Sequence, residues 1–139
     1  MTPETDSCAI LADRHPALSE GVRNLLESSF QSVFIVADGR SLRDGAQRLL
    51  PALIVLDISL PGIEFTSLLK EIHDLSPGSR MIALSVYDQA SVARRALASG
   101  VHGVVLKRCI GSDFLTAINT VLHGEEFVSP GFGLTAKVH

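Results

Sequence analysis

The sequence predicts an α/β fold, in which a doubly wound, five-stranded parallel sheet carries helices on both faces. Short apolar runs alternate five times with segments of helical periodicity. Strict alternation of this kind is typical of parallel sheets, because each crossover between parallel strands needs a connecting helix. The chain has 139 residues and 46% of them are hydrophobic, so it is long and apolar enough for one domain with a buried core.

The predicted strands are short apolar runs that end in polar or turn-forming residues. They cover residues 8–12, 33–37, 53–57, 81–84 and 103–106. The run at 53–57 is apolar on consecutive positions, which indicates a strand that is buried on both faces. Pro61 and Gly62 follow it closely and mark a loop.

A segment of helical periodicity follows each predicted strand. Ser41 is suited to the N-cap of the second helix, and the third helix is expected over residues 64–75. Asp88 is expected to cap the fourth helix. Ser112 or Asp113 is expected to open the last one.

Polar side chains end four of the five predicted strands, namely Asp13, Asp57, Ser85 and Lys107. The carboxyl ends of parallel strands share one edge of a sheet, and ligands bind at that edge in open α/β sheets. Each of these residues alone is more often a turn or cap residue. Their convergence at one edge favours a functional site there.

Composition and charge exclude several classes of protein. The formal net charge is −3 and the isoelectric point is about 5.9, which argues against nucleic-acid binding by this segment. Residues 1–6 are polar and contain no apolar signal-peptide core. No apolar run approaches the roughly 18 residues of a membrane span. A cytoplasmic location without membrane contact is therefore expected.

Four sequence segments carry a resemblance to a known family. They are residues 11–16, 57–62, 106–107 and 124–130. With these segments the chain resembles the receiver domain of two-component response regulators, of the LuxR/NarL type. The resemblance implies a flavodoxin-like strand order of 2-1-3-4-5. It divides the chain into an N-terminal tail (1–7), a receiver domain (8–124) and a linker or C-terminal tail (125–139), with the helix-turn-helix DNA-binding domain absent.

The resemblance also implies a function in phosphorelay signal transduction. Asp57 is the expected phosphoacceptor, which takes a phosphoryl group from a sensor histidine kinase to control a transcriptional output domain. Lys107 and Ser85 are expected to bind the phosphoryl group. Asp13, Asp57 and the backbone carbonyl of Ser59 are expected to hold Mg²⁺. Receivers of this type often pair, so a homodimer is a possible further association.

Arg14 and Val104 depart from the family pattern. Arg14 replaces the carboxylate that usually touches the metal, and Val104 replaces an aromatic switch residue. With Arg14 and Lys107 opposite Asp13 and Asp57, the formal charges cancel and little attraction for Mg²⁺ remains. We therefore expect no Mg²⁺, with Arg14 within salt-bridge reach of Asp13 or Asp57. The alternative is that Arg14 extends into solvent and leaves a weakened metal pocket.

Three functional classes are compatible with this sequence. The first is a phosphorylatable receiver, and the second is an atypical pseudo-receiver that acts as a protein-interaction module with weak or no Mg²⁺-dependent phosphorylation. The third is a hydrolase that uses Asp57 as nucleophile. Phosphatases of the haloacid-dehalogenase type need a second aspartate two residues later, where this chain has Ser59. We therefore expect that the domain is not an enzyme.

Overall fold

A computed structural model describes residues 7–134, apart from the side chain of Pro16. Five helices alternate with the first five of six strands. The strands are β1 (Cys8–Ala12), β2 (Ser32–Val36), β3 (Leu53–Asp57), β4 (Arg80–Ser85), β5 (Gly103–Leu106) and β6 (Phe127–Val128). The helices are α1 (Pro16–Glu27), α2 (Gly39–Leu49), α3 (Phe65–Leu75), α4 (Ala90–Ala98) and α5 (Ile110–Leu122).

All six strands form one parallel sheet in the order β2-β1-β3-β4-β5-β6. The predicted fold class and the order 2-1-3-4-5 are confirmed, and β6 extends the sheet beyond β5. Asp57 is level with Leu84, and Ser85 is level with Leu106. This register brings the carboxyl ends of the three strands β3, β4 and β5 to the same height at one edge.

Apolar packing on both faces of the sheet explains why β3 contains no polar residue before Asp57. On one face, Ile54 and Leu56 pack in the core that α2, α3 and α4 cover. On the other face, Val55 packs in the core that contains Leu26 of α1 and Phe114 of α5. Burial of this much apolar surface holds the end of β3 in place, and with it Asp57.

Three helices begin at residues other than those predicted. Asp38 rather than Ser41 caps α2, because the Asp38 carboxylate accepts a hydrogen bond from the Ser41 backbone N–H at 2.8 Å. The N-cap of α4 is Gln89 rather than Asp88. Helix α5 begins before Ser112, because a 3₁₀ turn at Lys107–Cys109 leads directly into it.

The segment predicted as a linker or tail from residue 125 contains regular structure, which corrects that prediction for its described part. β6 pairs with β5, and a 3₁₀ turn at Pro130–Phe132 follows it. Ser129 and Phe132 are buried, and Phe132 packs in the core of the α4 face. The pairing supplies partners for backbone groups of β5 that would otherwise lie at a sheet edge. Residues 135–139 lie outside the described part, as does most of the predicted N-terminal tail.

None of the helices in residues 7–134 is both long enough and apolar enough to cross a membrane.

Candidate functional site

The four polar residues that end strands in the sequence do meet at one edge of the sheet. Asp13 follows β1, Asp57 ends β3, Ser85 ends β4 and Lys107 follows β5. Asp13 and Asp57 are only 3% and 2% exposed. Two carboxylates removed from water in this way need cationic or hydrogen-bonding partners.

Lys107 supplies the cation for both carboxylates. Its Nζ lies 2.7 Å from Asp57 Oδ2 and 3.1 Å from Asp13 Oδ2. The 3₁₀ turn that begins at Lys107 follows β5 directly, so the backbone aims this side chain across the ends of β3 and β1. The ammonium group therefore bridges Asp13 and Asp57.

Hydrogen bonds hold Asp57 in its ionised form. Its Oδ1 accepts a hydrogen bond from the Ser59 backbone N–H and another from the Ser59 hydroxyl, both at 2.9 Å. Burial acts to raise the pKa of Asp57, but the hydrogen bonds from Lys107 and Ser59 outweigh it, and the pKa lies below its ordinary value. Asp57 is therefore a carboxylate at neutral pH.

His15, which was not among the predicted site residues, belongs to the same cluster. Its Nδ1 lies 3.0 Å from Asp13 Oδ1, 3.7 Å from Asp57 Oδ2 and 3.5 Å from Lys107 Nζ. Its backbone N–H also donates to Asp13 Oδ1 at 2.8 Å. The signal that could have identified it is its spacing, two residues after Asp13 in the loop at the end of β1.

Arg14 does not take the position that its charge predicted. Its side chain is exposed, and within residues 7–134 it forms no salt bridge with Asp13 or Asp57. The expectation that Arg14 pairs with these carboxylates was therefore wrong. Lys107 and His15 already occupy the space beside both carboxylates, so the long guanidinium chain extends outward, where it stays hydrated. It lines a cleft of about 360 Å³ beside α1 and β2.

The Ser85 hydroxyl is turned away from Asp57. It donates a hydrogen bond to the Tyr87 carbonyl at 2.8 Å and accepts one from the Tyr87 N–H at 2.9 Å. In residues 7–134 no hydrogen bond joins Ser85 to Asp57 or Lys107. Tyr87, in the loop after β4, is 58% exposed.

Val104 is fully buried in the core that α4 covers. Phe132 packs in the same core, although it comes from the turn after β6. The position where the family places an aromatic residue is thus apolar and filled. The Ser129 N–H donates to the Val104 carbonyl at 3.0 Å, so the C-terminal segment is attached to β5 at this point.

A family model described as the response regulator receiver domain matches residues 9–119. The chain belongs to this family. Among curated relatives, the receiver is 32% identical to the fimbriae Z protein of Salmonella typhimurium over 120 residues. It is 29% identical to the nitrate/nitrite response regulator protein NarL of Escherichia coli over 132 residues, and 30% identical to the transcriptional regulatory protein UhpA of the same species over 126 residues.

These alignments cover 85%, 93% and 89% of the receiver, but only 57%, 61% and 63% of the three relatives. The chain therefore spans somewhat more than half of the length of the relatives that it matches. The predicted resemblance to receivers of the LuxR/NarL type is confirmed by these matches.

Solved structures show the same fold. A LuxR-family response regulator from Aurantimonas sp. superposes with a TM-score of 0.81 at 24% identity, over 91% of the receiver and 92% of that chain. The non-phosphorylated receiver domain of the stress response regulator RcsB from Escherichia coli superposes with a TM-score of 0.76 at 25% identity, over 88% and 97% of the two chains.

Receiver domains usually bind Mg²⁺, but the donor set of this receiver does not fit that ion. Mg²⁺ prefers oxygen ligands in octahedral geometry. One carboxylate of the usual set is replaced by Arg14, whose side chain points into solvent. The space between Asp13 and Asp57 faces the imidazole of His15 and the ammonium of Lys107 instead.

Proposed function

We propose that this receiver accepts a phosphoryl group on Asp57 from the phosphohistidine of a sensor histidine kinase. The observation that carries the proposal is the ionised Asp57 carboxylate with Lys107 Nζ at 2.7 Å. In the reaction a carboxylate oxygen attacks phosphorus, the P–N bond to the kinase histidine breaks, and a P–O bond forms. The released imidazole keeps the electron pair of the broken bond and takes up a proton.

The contacts of the two Asp57 oxygens differ, and this difference favours Oδ2 as the attacking atom. Oδ1 accepts two hydrogen bonds from Ser59, which hold it as the carbonyl-like oxygen of an acyl phosphate. Oδ2 is directed at Lys107. The ammonium can then follow the charge from Oδ2 to the incoming phosphoryl oxygens and stabilise it in the transition state.

Ser85 is the residue that we expect to respond to the phosphoryl group. To bind a phosphoryl oxygen, its hydroxyl must break both hydrogen bonds to the Tyr87 backbone. A charge-assisted hydrogen bond to the phosphoryl group is stronger than a neutral one and can offset that loss. The change is transmitted to the loop after β4, where a partner can recognise it.

The names of the relatives support control of a transcriptional output. NarL is a response regulator protein and UhpA is a transcriptional regulatory protein. In this receiver, β6 pairs with Gly103 and Val104 of β5, and Lys107 follows that strand. We infer that this segment connects the phosphorylation site to an output domain, which would be the part that binds DNA.

Acetyl phosphate tests the proposal. We expect the wild-type chain to gain the mass of one phosphoryl group in intact-mass spectra, and Asp57→Asn to gain none. Asp74→Asn, which changes an exposed aspartate of α3, is the matched control and should react like the wild type. The reaction is run with and without Mg²⁺. If the wild type remains unmodified in both, phosphoryl acceptance is refuted and the pseudo-receiver function replaces it.

A further inference from the structure

We propose that Asp13, His15 and Asp57 form a binding site for a divalent first-row transition metal of the Zn²⁺ type, in preference to Mg²⁺. The proposal goes beyond phosphoryl acceptance, because it concerns the resting domain and needs no phosphodonor. It rests on the side chain of His15. This side chain lies beside the two carboxylates, where the charge of Arg14 had predicted the guanidinium group.

The three ligand atoms already have nearly the spacing of a metal site. His15 Nδ1 lies 3.0 Å from Asp13 Oδ1 and 3.7 Å from Asp57 Oδ2, and one ligand atom from each of the three residues lies within 4.8 Å of the other two. Zn²⁺ binds nitrogen and oxygen ligands at about 2.0–2.2 Å, so tetrahedral ligands are separated by roughly 3.3–3.5 Å. Shifts of a few tenths of an ångström in these two distances would give that geometry.

The chemistry of the donors separates the two metals. An imidazole nitrogen is a favoured ligand of Zn²⁺, copper, nickel and iron, whereas Mg²⁺ favours carboxylate, carbonyl and water oxygens. A metal ion can bind His15 Nδ1 only in the imidazole tautomer that carries its proton on Nε2. The His15 side chain is 53% exposed, so Nε2 can keep that proton in contact with water.

Charge and burial both favour a bound cation. Because Arg14 extends into solvent, Lys107 is the only lysine or arginine of residues 7–134 that pairs with Asp13 and Asp57, and with a neutral His15 one formal negative charge remains uncompensated. Asp13 Oδ2 is buried and accepts no well-aligned hydrogen bond from the described residues, although Lys107 Nζ is 3.1 Å away. A divalent ion beside Asp13 would compensate that charge, and the exposed edge of His15 leaves it a path from solvent.

Titration calorimetry of the wild-type chain with ZnCl₂ and with MgCl₂ tests the proposal. We expect one Zn²⁺ site that binds at least about 100-fold more tightly than Mg²⁺. His15→Ala should weaken Zn²⁺ binding by about tenfold or more, whereas His73→Ala, which changes an exposed histidine of α3, should leave it unchanged. In NMR spectra of the imidazole nitrogens, Zn²⁺ should shift Nδ1 of His15.

Arg14→Asp is the control that shows the titration can detect Mg²⁺ at this edge. It restores a carboxylate at the position that usually touches the metal, and we expect its Mg²⁺ affinity to rise at least about tenfold. Equal affinities of the wild type for the two metals would overturn the proposal. So would Zn²⁺ binding that survives His15→Ala, because the ion would then lie elsewhere. Neither result bears on whether acetyl phosphate modifies Asp57.

Discussion

At the scale of single residues, His102 links protonation to stability. Its side chain is partly buried, and its Nδ1 accepts a hydrogen bond from the Met81 backbone N–H at 3.0 Å. Desolvation by burial lowers the pKa of His102, and the positive charge of nearby Arg80 and the neighbouring His73 lower it further. The folded protein thus favours the neutral ring that accepts this hydrogen bond.

The sign of the pH dependence follows from that lowered pKa. Below the ordinary pKa of about 6.5, the unfolded chain binds a proton at His102 before the folded chain does. The contribution of His102 to the free energy of unfolding is therefore full above that value and is lost as the pH falls through the folded pKa. His102→Asn keeps an acceptor near Nδ1 but cannot titrate. We expect urea unfolding to show a smaller loss of stability between pH 7 and pH 5 in this variant than in the wild type. Equal losses would contradict the assignment.

Substitutions of two glycines by alanine should have opposite effects on stability. Gly131 is exposed, but a Cβ there would lie 2.5 Å from Cδ1 of the buried Leu106, whereas a Cβ at Gly111 would meet no heavy atom within 4 Å. We expect Gly131→Ala to lower the free energy of unfolding by about 1–3 kcal/mol through overpacking. Gly111→Ala in α5 should raise it by about 0.4–1 kcal/mol, because alanine has less conformational freedom to lose. Chemical denaturation measures both, and equal effects would count against this packing.

Arg14 and His15 show where sequence reasoning about the site ends. The convergence of Asp13, Asp57 and Lys107 could be predicted, because strand ends in a parallel sheet are placed by topology. It could not be predicted which of the two adjacent side chains, Arg14 or His15, turns inward, since formal charge favoured Arg14. The outcome depends on the space that Lys107 leaves between the carboxylates, and that space is a property of the folded loops.

At the scale of elements, Ser129 connects β6 to the end of β5. Its hydroxyl accepts a hydrogen bond from the Leu106 N–H at 3.1 Å and donates one to Asp113 at 2.8 Å, and the residue is buried. Ser129→Ala would leave the Leu106 N–H buried without a partner. We expect a loss of about 1–3 kcal/mol in the free energy of unfolding.

Thr116→Ala is the matched control for Ser129→Ala, since Thr116 is exposed on α5 and close in sequence to Asp113. It should change the free energy of unfolding by less than about 0.5 kcal/mol. If Ser129→Ala also left the free energy of unfolding unchanged in chemical denaturation, the attachment of β6 to β5 would not contribute to stability.

The five longer strands and their helices could be predicted because each leaves a periodic pattern in the sequence. β6 could not, since two residues, Phe127 and Val128, are too few for any period. They form a strand only because β5 offers an open edge beside them.

The start of α5 was predicted at the wrong residue for a related reason. The 3₁₀ turn at Lys107–Cys109 has no capping signature, so the helix was predicted to begin at Ser112 or Asp113 instead.

At the scale of the whole molecule, α5 offers a surface for self-association. Leu115 and Leu122 lie seven residues apart on this helix and are 50% and 42% exposed, so they share one face. We expect a weak homodimer in sedimentation experiments at high micromolar concentration, and Leu122→Lys should weaken it. A wild-type chain that remains monomeric under those conditions would contradict this expectation.

The packing around Val104 bears on how far phosphorylation can change the domain. Val104 has no exposed surface, and Phe132, from the turn after β6, packs in the same core. A valine at this position provides no aromatic ring that could reorient when Ser85 moves toward Asp57. A ligand shifts a conformational equilibrium only by its difference in affinity for the two states. We therefore expect that difference to be small for this domain.

Beryllofluoride, which mimics a phosphoryl group on an aspartate, tests this reasoning without turnover. We expect amide NMR shifts near Asp57 and Lys107 and in the loop from Ser85 to Tyr87, with little change along α4 or in Val104. Asp57→Asn should show no shifts, which ties the response to the acceptor. Phe132→Ala should widen the response toward α4, because it removes a ring from the core that also contains Val104. Large shifts throughout α4 in the wild-type chain would show instead that the domain has a second packed state, which phosphorylation populates despite the valine.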